Sequence, residues 1–568
     1  MDDVKPTASF DRSLHAAEAQ FTGGLSLAAL GLAWADWCIH LAGQPGRRAE
    51  LCRQAMGDAA ALWRQALGLP TTSVAPDPND RRFAGEGWQH GYAALAAQQF
   101  LRGERFWDSA TSHIPGLSKS NERIVGFMAR QMLDVAAPSN LPFLNPEVLA
   151  ATQASGGENL RLGASNLATD LQHAGSGKSQ ALPLVPGRDI AITPGNVVFR
   201  NALIELLQYS PATETVHPEP ILIVPAWIMK YYILDLSPQN SMIRYLVGKG
   251  YTVFCISWRN PDAGMRDTSL DDYRRLGVMA AIDAASAICG SRKIHATGYC
   301  LGGTLLSIAA AAMARDHDER LASITLLAAQ TDFTEAGELQ LFINESQLAF
   351  LDDVMWRQGY LDSTQMAGAF QMLRANELIW SHLVRRYYLG EADHPNDMMS
   401  WNMDATRMPY RMHSEYLRRL FLDNDLAEGR MPAGGRKISL ADIHVPVFVI
   451  GTETDHIAPW RSVYKFLQLN AGDVTFVLTS GGHNAGVVSE PGHPHRHFRL
   501  LERKIRELYV APEDWQGMAA SREGSWWEPW TAWLDGQSGA PVTPPEMGAP
   551  DAGYAVLEPA PGSYVMQR

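Results

Sequence analysis

The spacing of apolar residues changes character once along the chain. Up to about residue 190 they recur at three- and four-residue intervals. The run Arg123-Ile-Val-Gly-Phe-Met-Ala-Arg-Gln-Met-Leu shows this, and it predicts a mainly helical region, broken at Ser139-Asn-Leu-Pro and resuming at Asn145-Pro. From about residue 196, short apolar runs alternate with helical stretches. Strands are predicted over 197–199, 221–224, 252–256, 293–297, 323–327, 447–450 and 475–478, with helices over 241–248, 271–288 and 304–315 between them. That alternation is the signature of a doubly wound α/β sheet. More than a hundred residues separate the strand ending at 327 from the one starting at 447, far more than an ordinary connection needs. The insertion carries Trp356, Tyr360, Trp380, Tyr387, Tyr388, Trp401, Tyr410 and Tyr416, and reads as a helical cap over the carboxyl edge of the sheet. The chain thus divides into a mainly helical domain over 1–190, an α/β domain over 191–535 with its cap at about 330–440, and a tail over 536–568. The tail is rich in Pro, Gly and Ala and reads as extended or disordered.

Composition narrows the chemistry. With 568 residues, 46% hydrophobic and 19% charged, the chain is long enough for a large core and more than one domain. A formal charge of −13 argues against a nucleic-acid surface, which needs basic residues in excess. It leaves room for a local basic pocket. The five cysteines, Cys38, Cys52, Cys255, Cys289 and Cys300, are too few and too irregular for a disulfide framework, and no spacing suggests a metal site. They fit a reducing compartment. The start, Met1-Asp2-Asp3, lacks the positive region of a signal peptide. The most apolar stretch, 24–43, is interrupted by Asp36 and His40. A charge in mid-membrane costs about 3 kcal/mol, so an amphipathic or buried helix is expected there rather than a transmembrane segment. The expected location is cytoplasmic.

One segment, Lys293-Ile-His-Ala-Thr-Gly-Tyr-Cys-Leu-Gly-Gly-Thr, reads strand, tight turn, helix. Its Gly298-x-Cys300-x-Gly302 is a nucleophile elbow with Cys in place of Ser. A cysteine there sits at a helix amino terminus, where the dipole favours thiolate, and the following amide, Leu301, is placed to serve an oxyanion hole. A buried structural cysteine in a glycine-rich turn is the competing reading. Two downstream segments tilt the balance. Asp455 follows the strand at 447–450, and His483 follows the strand at 475–478, so nucleophile, acid and histidine come in the order of an α/β-hydrolase fold. His483 would take the Cys300 proton and Asp455 would orient the imidazole. His456 is a rival base, given a supporting role because its neighbour Asp455 fills the acid's place. The loop after the strand at 221–224 supplies the second oxyanion amide in this fold, from Ile228 or Trp227. Asp262 and Asp404 read as capping or ion-pair carboxylates.

These segments resemble the single-chain polyhydroxyalkanoate synthases. The resemblance rests on Gly298-Tyr-Cys-Leu-Gly-Gly-Thr, Lys230-Tyr-Tyr-Ile-Leu-Asp-Leu-Ser-Pro, Ser257-Trp-Arg-Asn-Pro-Asp, Asn376-Glu-Leu-Ile-Trp, Trp401-Asn-Met-Asp-Ala-Thr-Arg-Met-Pro, Asp455-His-Ile-Ala-Pro-Trp, Gly481-Gly-His-Asn-Ala-Gly, Ser155-Gly-Gly-Glu-Asn-Leu and Ser525-Trp-Trp-Glu-Pro-Trp. It runs from about residue 80 to near 535. It implies a Cys-His-Asp triad on Cys300, His483 and Asp455, 3-hydroxyacyl-CoA substrates, a growing polyester chain, a homodimer and a polymer granule surface. No cofactor or metal is expected, because coenzyme A enters with the substrate. The chain departs from the family at Met229, where Asn is usual, and at Asn484, where an apolar residue is usual. Leu301 leans toward short monomers such as 3-hydroxybutyryl-CoA. The aromatic insertion, Trp401 included, would keep water from the acyl-cysteine. A thioesterase on the same fold and a non-catalytic granule protein are the alternatives.

Overall fold

A computed structural model describes residues 6–22, 24–77, 80–175, 182–290, 292–362, 365, 375–392, 396–505 and 507–568. Their contacts group into two compact units.

The first unit takes in the chain up to Ala17, Leu182–Met366 and Pro395–Arg568. Its centre is a sheet of eleven strands. In chain order these are β1 (Gly195–Arg200), β2 (Ile204–Tyr209), β3 (Ile221–Val224), β4 (Val253–Trp258), β5 (Ile294–Tyr299), β6 (Leu321–Leu327), β7 (Val447–Thr452), β8 (Val474–Thr479), β9 (His497–Arg503), β10 (Ser521–Glu523) and β11 (Glu558–Pro559). They lie in the order β10-β9-β8-β7-β6-β5-β3-β4-β2-β1-β11. The six from β8 to β4 are parallel and the edges are antiparallel. Every residue of β3, β4, β5, β7 and β8 is buried, as parallel strands covered on both faces must be. That burial is why these strands appear as predominantly apolar runs in the sequence, β3 without a break.

The strands absent from the sequence reading have other patterns. Strand β2 carries Glu205, fully buried, whose carboxylate takes an ion pair from Arg200 at 2.7 Å, the Ser563 hydroxyl at 2.7 Å and the Tyr564 amide at 2.9 Å. Two of those three partners lie in the segment 536–568. That segment is extended, as its composition suggests, but it is not loose. Strand β11 pairs with β1, Val542 bridges Val216, and Gln567 accepts from buried Lys230 at 2.8 Å. Buried polar groups on the sheet need these partners, and this fixes a segment whose composition alone allowed disorder.

The second unit comprises Glu18–Ala181 and Ala367–His394. It is helical, with Leu27–Ala42, Pro45–Ala66, Gly91–Thr111, Lys119–Val135, Pro146–Ser155 and Glu158–Gly175 as its main elements. Arg82 is buried in it against Asp80 at 2.6 Å, Asp134 at 2.6 Å and Glu104 at 2.9 Å. Boundaries drawn from apolar spacing put 1–190 in one domain and the whole insertion in another; contacts divide the chain elsewhere. The start of the helix Pro6–Thr22 belongs with the sheet unit, where Arg12 and His15 meet Asp353. The middle of the insertion belongs with the helices, where Arg386 pairs with Asp170 at 2.7 Å and Tyr388 accepts from Asn159 at 2.8 Å. No helix among the described residues is long and apolar enough to cross a membrane. The apolar stretch at 24–43 forms the helix Leu27–Ala42, with Asp36 bonded to Asn121 at 2.7 Å.

Candidate active site

Three loops at the carboxyl ends of β5, β7 and β8 bring Cys300, Asp455 and His483 together. Cys300 joins β5 to the helix Leu301–Arg315 at φ 53° and ψ −123°, a conformation that costs a side-chain-bearing residue about 1–3 kcal/mol. Close packing imposes it. A Cβ on Gly302 would stand 2.1 Å from the Val224 carbonyl oxygen, and one on Gly298 would stand 2.4 Å from Gly303 Cα. The Cys300 amide donates to the Leu327 carbonyl at 2.8 Å, and its own carbonyl receives Gly303 at 2.9 Å, so the turn is held at both ends.

His483 Nδ1 lies 2.7 Å from Asp455 Oδ2, and Cys300 is near enough to the ring to act on its charge. All three residues are buried. Asp455 is fully engaged. Its Oδ1 accepts the amides of Ile457 at 2.9 Å and Ala458 at 2.8 Å, and Oδ2 also accepts the Thr452 hydroxyl at 3.0 Å. Burial works against its charge, but His483 and these amides hold it below the usual carboxylate range. Burial also works against an imidazolium at His483. The Asp455 carboxylate and then Cys300 outweigh that, and hold His483 well above the usual histidine range.

Tyr299 precedes the nucleophile. Its ring stands 5.6 Å from that of His483, and its hydroxyl donates to Asn484 Oδ1 at 2.5 Å. The residue that departs from the family pattern thus satisfies a buried phenol beside the histidine. The His456 carbonyl accepts the Glu338 amide at 3.2 Å, and it is His483 that bonds to Asp455 at 2.7 Å. Asp262 caps a turn by accepting from the Gly264 amide at 2.8 Å. Asp404 accepts the Tyr232 hydroxyl at 2.8 Å.

Leu301 opens the elbow helix, and Ile228 lies in the loop after β3. The Ile228 amide donates to no backbone carbonyl among the described residues. Trp401 is buried, and its indole N–H donates to the Lys230 carbonyl at 2.7 Å, which ties the insertion to the β3 loop. Helix Tyr410–Tyr416 reaches the same loop, with Tyr416 against Trp227 at a ring separation of 6.1 Å. The motif Ser525-Trp-Trp-Glu-Pro-Trp fastens the other side: the indoles of Trp526 and Trp527 donate to the carbonyls of Gly486 at 2.9 Å and Val487 at 3.0 Å, just past His483. Sequence reasoning missed Thr406 and the pairing of Tyr299 with Asn484. Thr406 stands inside a motif already singled out, but nothing local marks what it touches.

Comparison with known proteins agrees with this architecture. The model of the poly-beta-hydroxybutyrate polymerase N-terminus matches residues 79–246, that of the poly-beta-hydroxybutyrate polymerase N terminal matches 5–47, and that of the alpha/beta hydrolase fold matches 219–489. A poly(3-hydroxyalkanoate) polymerase of Methylorubrum extorquens is 41% identical over 520 residues, covering 90% of this chain and 85% of the relative. The poly(3-hydroxyalkanoate) polymerase subunit of Cupriavidus necator is 36% identical over 546 residues, covering 95% of this chain and 91% of the relative. With likeness of this extent along nearly its whole length, the chain belongs to the poly(3-hydroxyalkanoate) polymerase family.

Proposed function

We propose that the protein polymerises 3-hydroxyacyl-CoA, with 3-hydroxybutyryl-CoA as its monomer, into polyester by way of an acyl group carried on Cys300. The observation that carries this reading is the grouping of Cys300, His483 and Asp455 at the ends of three parallel strands, in a chain of this family, with cysteine at the elbow.

In the proposed first half, His483 takes the Cys300 proton and Sγ attacks the thioester carbonyl carbon. The electron pair moves to the carbonyl oxygen, received by the N–H groups of Leu301 and Ile228. Collapse breaks the carbon–sulfur bond to coenzyme A, whose sulfur takes the proton from His483. One thioester replaces another, so the acyl group stays activated. In the second half, His483 removes the proton from the 3-hydroxyl of another acyl unit. That oxygen attacks, an oxoester forms and Cys300 leaves to regain its proton. A serine at this position would form the oxoester at once and lose that driving force. The cycle needs no cofactor, since coenzyme A arrives on the substrate.

The buried site supports exclusion of water, on which a polymerase depends. Homodimerisation and residence at cytoplasmic polymer granules belong to the same proposal. They are supported by the family and by the exposed apolar side chains Leu32, Ile39, Met56 and Trp63 on two helices of the second unit. The test is purified protein with 3-hydroxybutyryl-CoA, following free coenzyme A beside chloroform-extractable polymer and soluble acid. Polymer with little free acid is expected. Stoichiometric free acid without polymer makes the protein a thioesterase, and no coenzyme A release makes it a non-catalytic granule protein.

A further inference from the structure

The loop after β3 is held from outside by one short stretch of the insertion. Trp401 donates to the Lys230 carbonyl at 2.7 Å, Ala405 bridges Met229, and Asp404 receives Tyr232 at 2.8 Å. Within that stretch Thr406 makes two contacts of a different kind. Its hydroxyl donates to the Trp227 carbonyl at 2.6 Å, and its amide donates to the Ile228 carbonyl at 3.3 Å. Thr406 and Trp227 are both buried, so water does not compete for these groups.

The Trp227 carbonyl and the Ile228 N–H belong to the same peptide plane. In a trans peptide they point in opposite directions, so whatever holds the oxygen aims the N–H. The carbonyl on the far side of Ile228 is held as well, by the same residue. Both planes that flank Ile228 therefore take their orientation from Thr406, while the Ile228 N–H itself donates to no backbone carbonyl.

We propose that Thr406 is a positioning residue for the reaction: it fixes the peptide plane from which the Ile228 N–H meets the oxygen of the thioester as negative charge develops there. This rests on the polymerase reading of the site. An oxyanion donor works only where it stands about 2.7–3.1 Å from the charged oxygen, and a donor swung out of line loses much of its effect. Without the Thr406 hydroxyl, the Trp227 carbonyl is left buried without that partner and the plane is free to tilt. The insertion thus sets one of the two donors.

The experiment compares two reactions of Cys300. Acylation by 3-hydroxybutyryl-CoA passes through an oxyanion. Alkylation by iodoacetamide does not: Sγ displaces iodide from a saturated carbon, and no charge builds on the amide oxygen. Single-turnover acylation and alkylation are measured for wild type, Thr406→Val, Thr406→Ala and Thr406→Ser. Acylation is expected to fall roughly 10- to 100-fold in Thr406→Val and Thr406→Ala, less than deleting a donor outright. Alkylation should stay at the wild-type rate, and Thr406→Ser, which keeps the hydroxyl, should restore acylation. If Thr406→Val does not fold, the Ala and Ser variants decide by the same ratio. Wild-type acylation in the variants that lack the hydroxyl, or an equal fall in alkylation, overturns the role of Thr406 and leaves the polymerase reading standing. A wild type that no 3-hydroxyacyl-CoA acylates overturns the polymerase reading and this inference with it.

Discussion

At Cys300 a strained backbone, a helix amino terminus and a buried histidine–carboxylate pair converge on one sulfur. Each element has a distinct consequence under substitution. Cys300→Ala is expected to abolish coenzyme A release, while Cys38→Ala, Cys52→Ala and Cys289→Ala leave it near wild type, because none of those three stands at the elbow. His483→Gln should lose both halves of the reaction. Asp455→Asn should lose activity by up to about 10⁴-fold, since an amide favours the wrong imidazole tautomer, and elongation should suffer more than acylation because an alcohol is a weaker acid than a thiol. Single-turnover trapping of labelled acyl-enzyme separates the steps, and equal loss of both contradicts the division of labour. The three residues were legible in the sequence because each follows a strand inside a recognisable local pattern. Thr406 and Asn484 were not, because their partners lie 179 and 185 residues away, and a bond to a carbonyl or a phenol leaves no pattern along the chain.

At the scale of elements, the parallel centre of the sheet was legible because burial on both faces makes its strands predominantly apolar. The edges were not. Strand β9 buries only Phe498 among half-exposed positions and carries Arg499 and Arg503, and β2 hides Glu205 behind partners from the end of the chain. The tryptophan-rich helix Trp527–Asp535 and its N-cap Trp526 turn a compositional oddity into a structural part: they fasten the segment that follows His483. Trp526→Phe keeps most of the apolar surface and leaves the Gly486 carbonyl without this donor, at a cost of about 1–3 kcal/mol. A lower thermal midpoint is expected, together with reduced coenzyme A release from a protein that still binds substrate. An unchanged midpoint contradicts the assignment.

At the scale of the whole molecule, buried His295, His413 and Asp235 each add to the dependence of stability on pH. Burial pushes His295 down to about 4 and His413 down to about 3, so each contributes stability that is complete above pH 6.5 and lost as pH falls toward those values. Burial raises Asp235 to about 6 despite its bonds to Ser241 and Thr193; its contribution runs the other way, present below pH 3.8 and lost as pH rises through 6. The two histidines therefore take stability away on acidification from pH 6.5, and Asp235 returns part of that loss. Urea midpoints at pH 7.5 and 4.5 test this: the stability of Asp235→Asn relative to wild type should be higher at pH 7.5 than at pH 4.5 by about 2 kcal/mol. A difference independent of pH contradicts it. Boundaries between the units were the least legible feature at this scale. They depend on where segments such as 375–392 pack, and apolar spacing says that a helix forms without saying what it packs against.

The central claim, that Cys300 carries the growing acyl group, is tested most directly by locating it. Labelled 3-hydroxybutyryl-CoA is mixed with the protein in a single turnover, the reaction is quenched in acid, and peptides are read by mass spectrometry. The account predicts the 3-hydroxybutyryl label as a thioester on the peptide containing Cys300, absent in Cys300→Ala. Label on another residue, or polymer formed with Cys300 replaced by alanine, would contradict it.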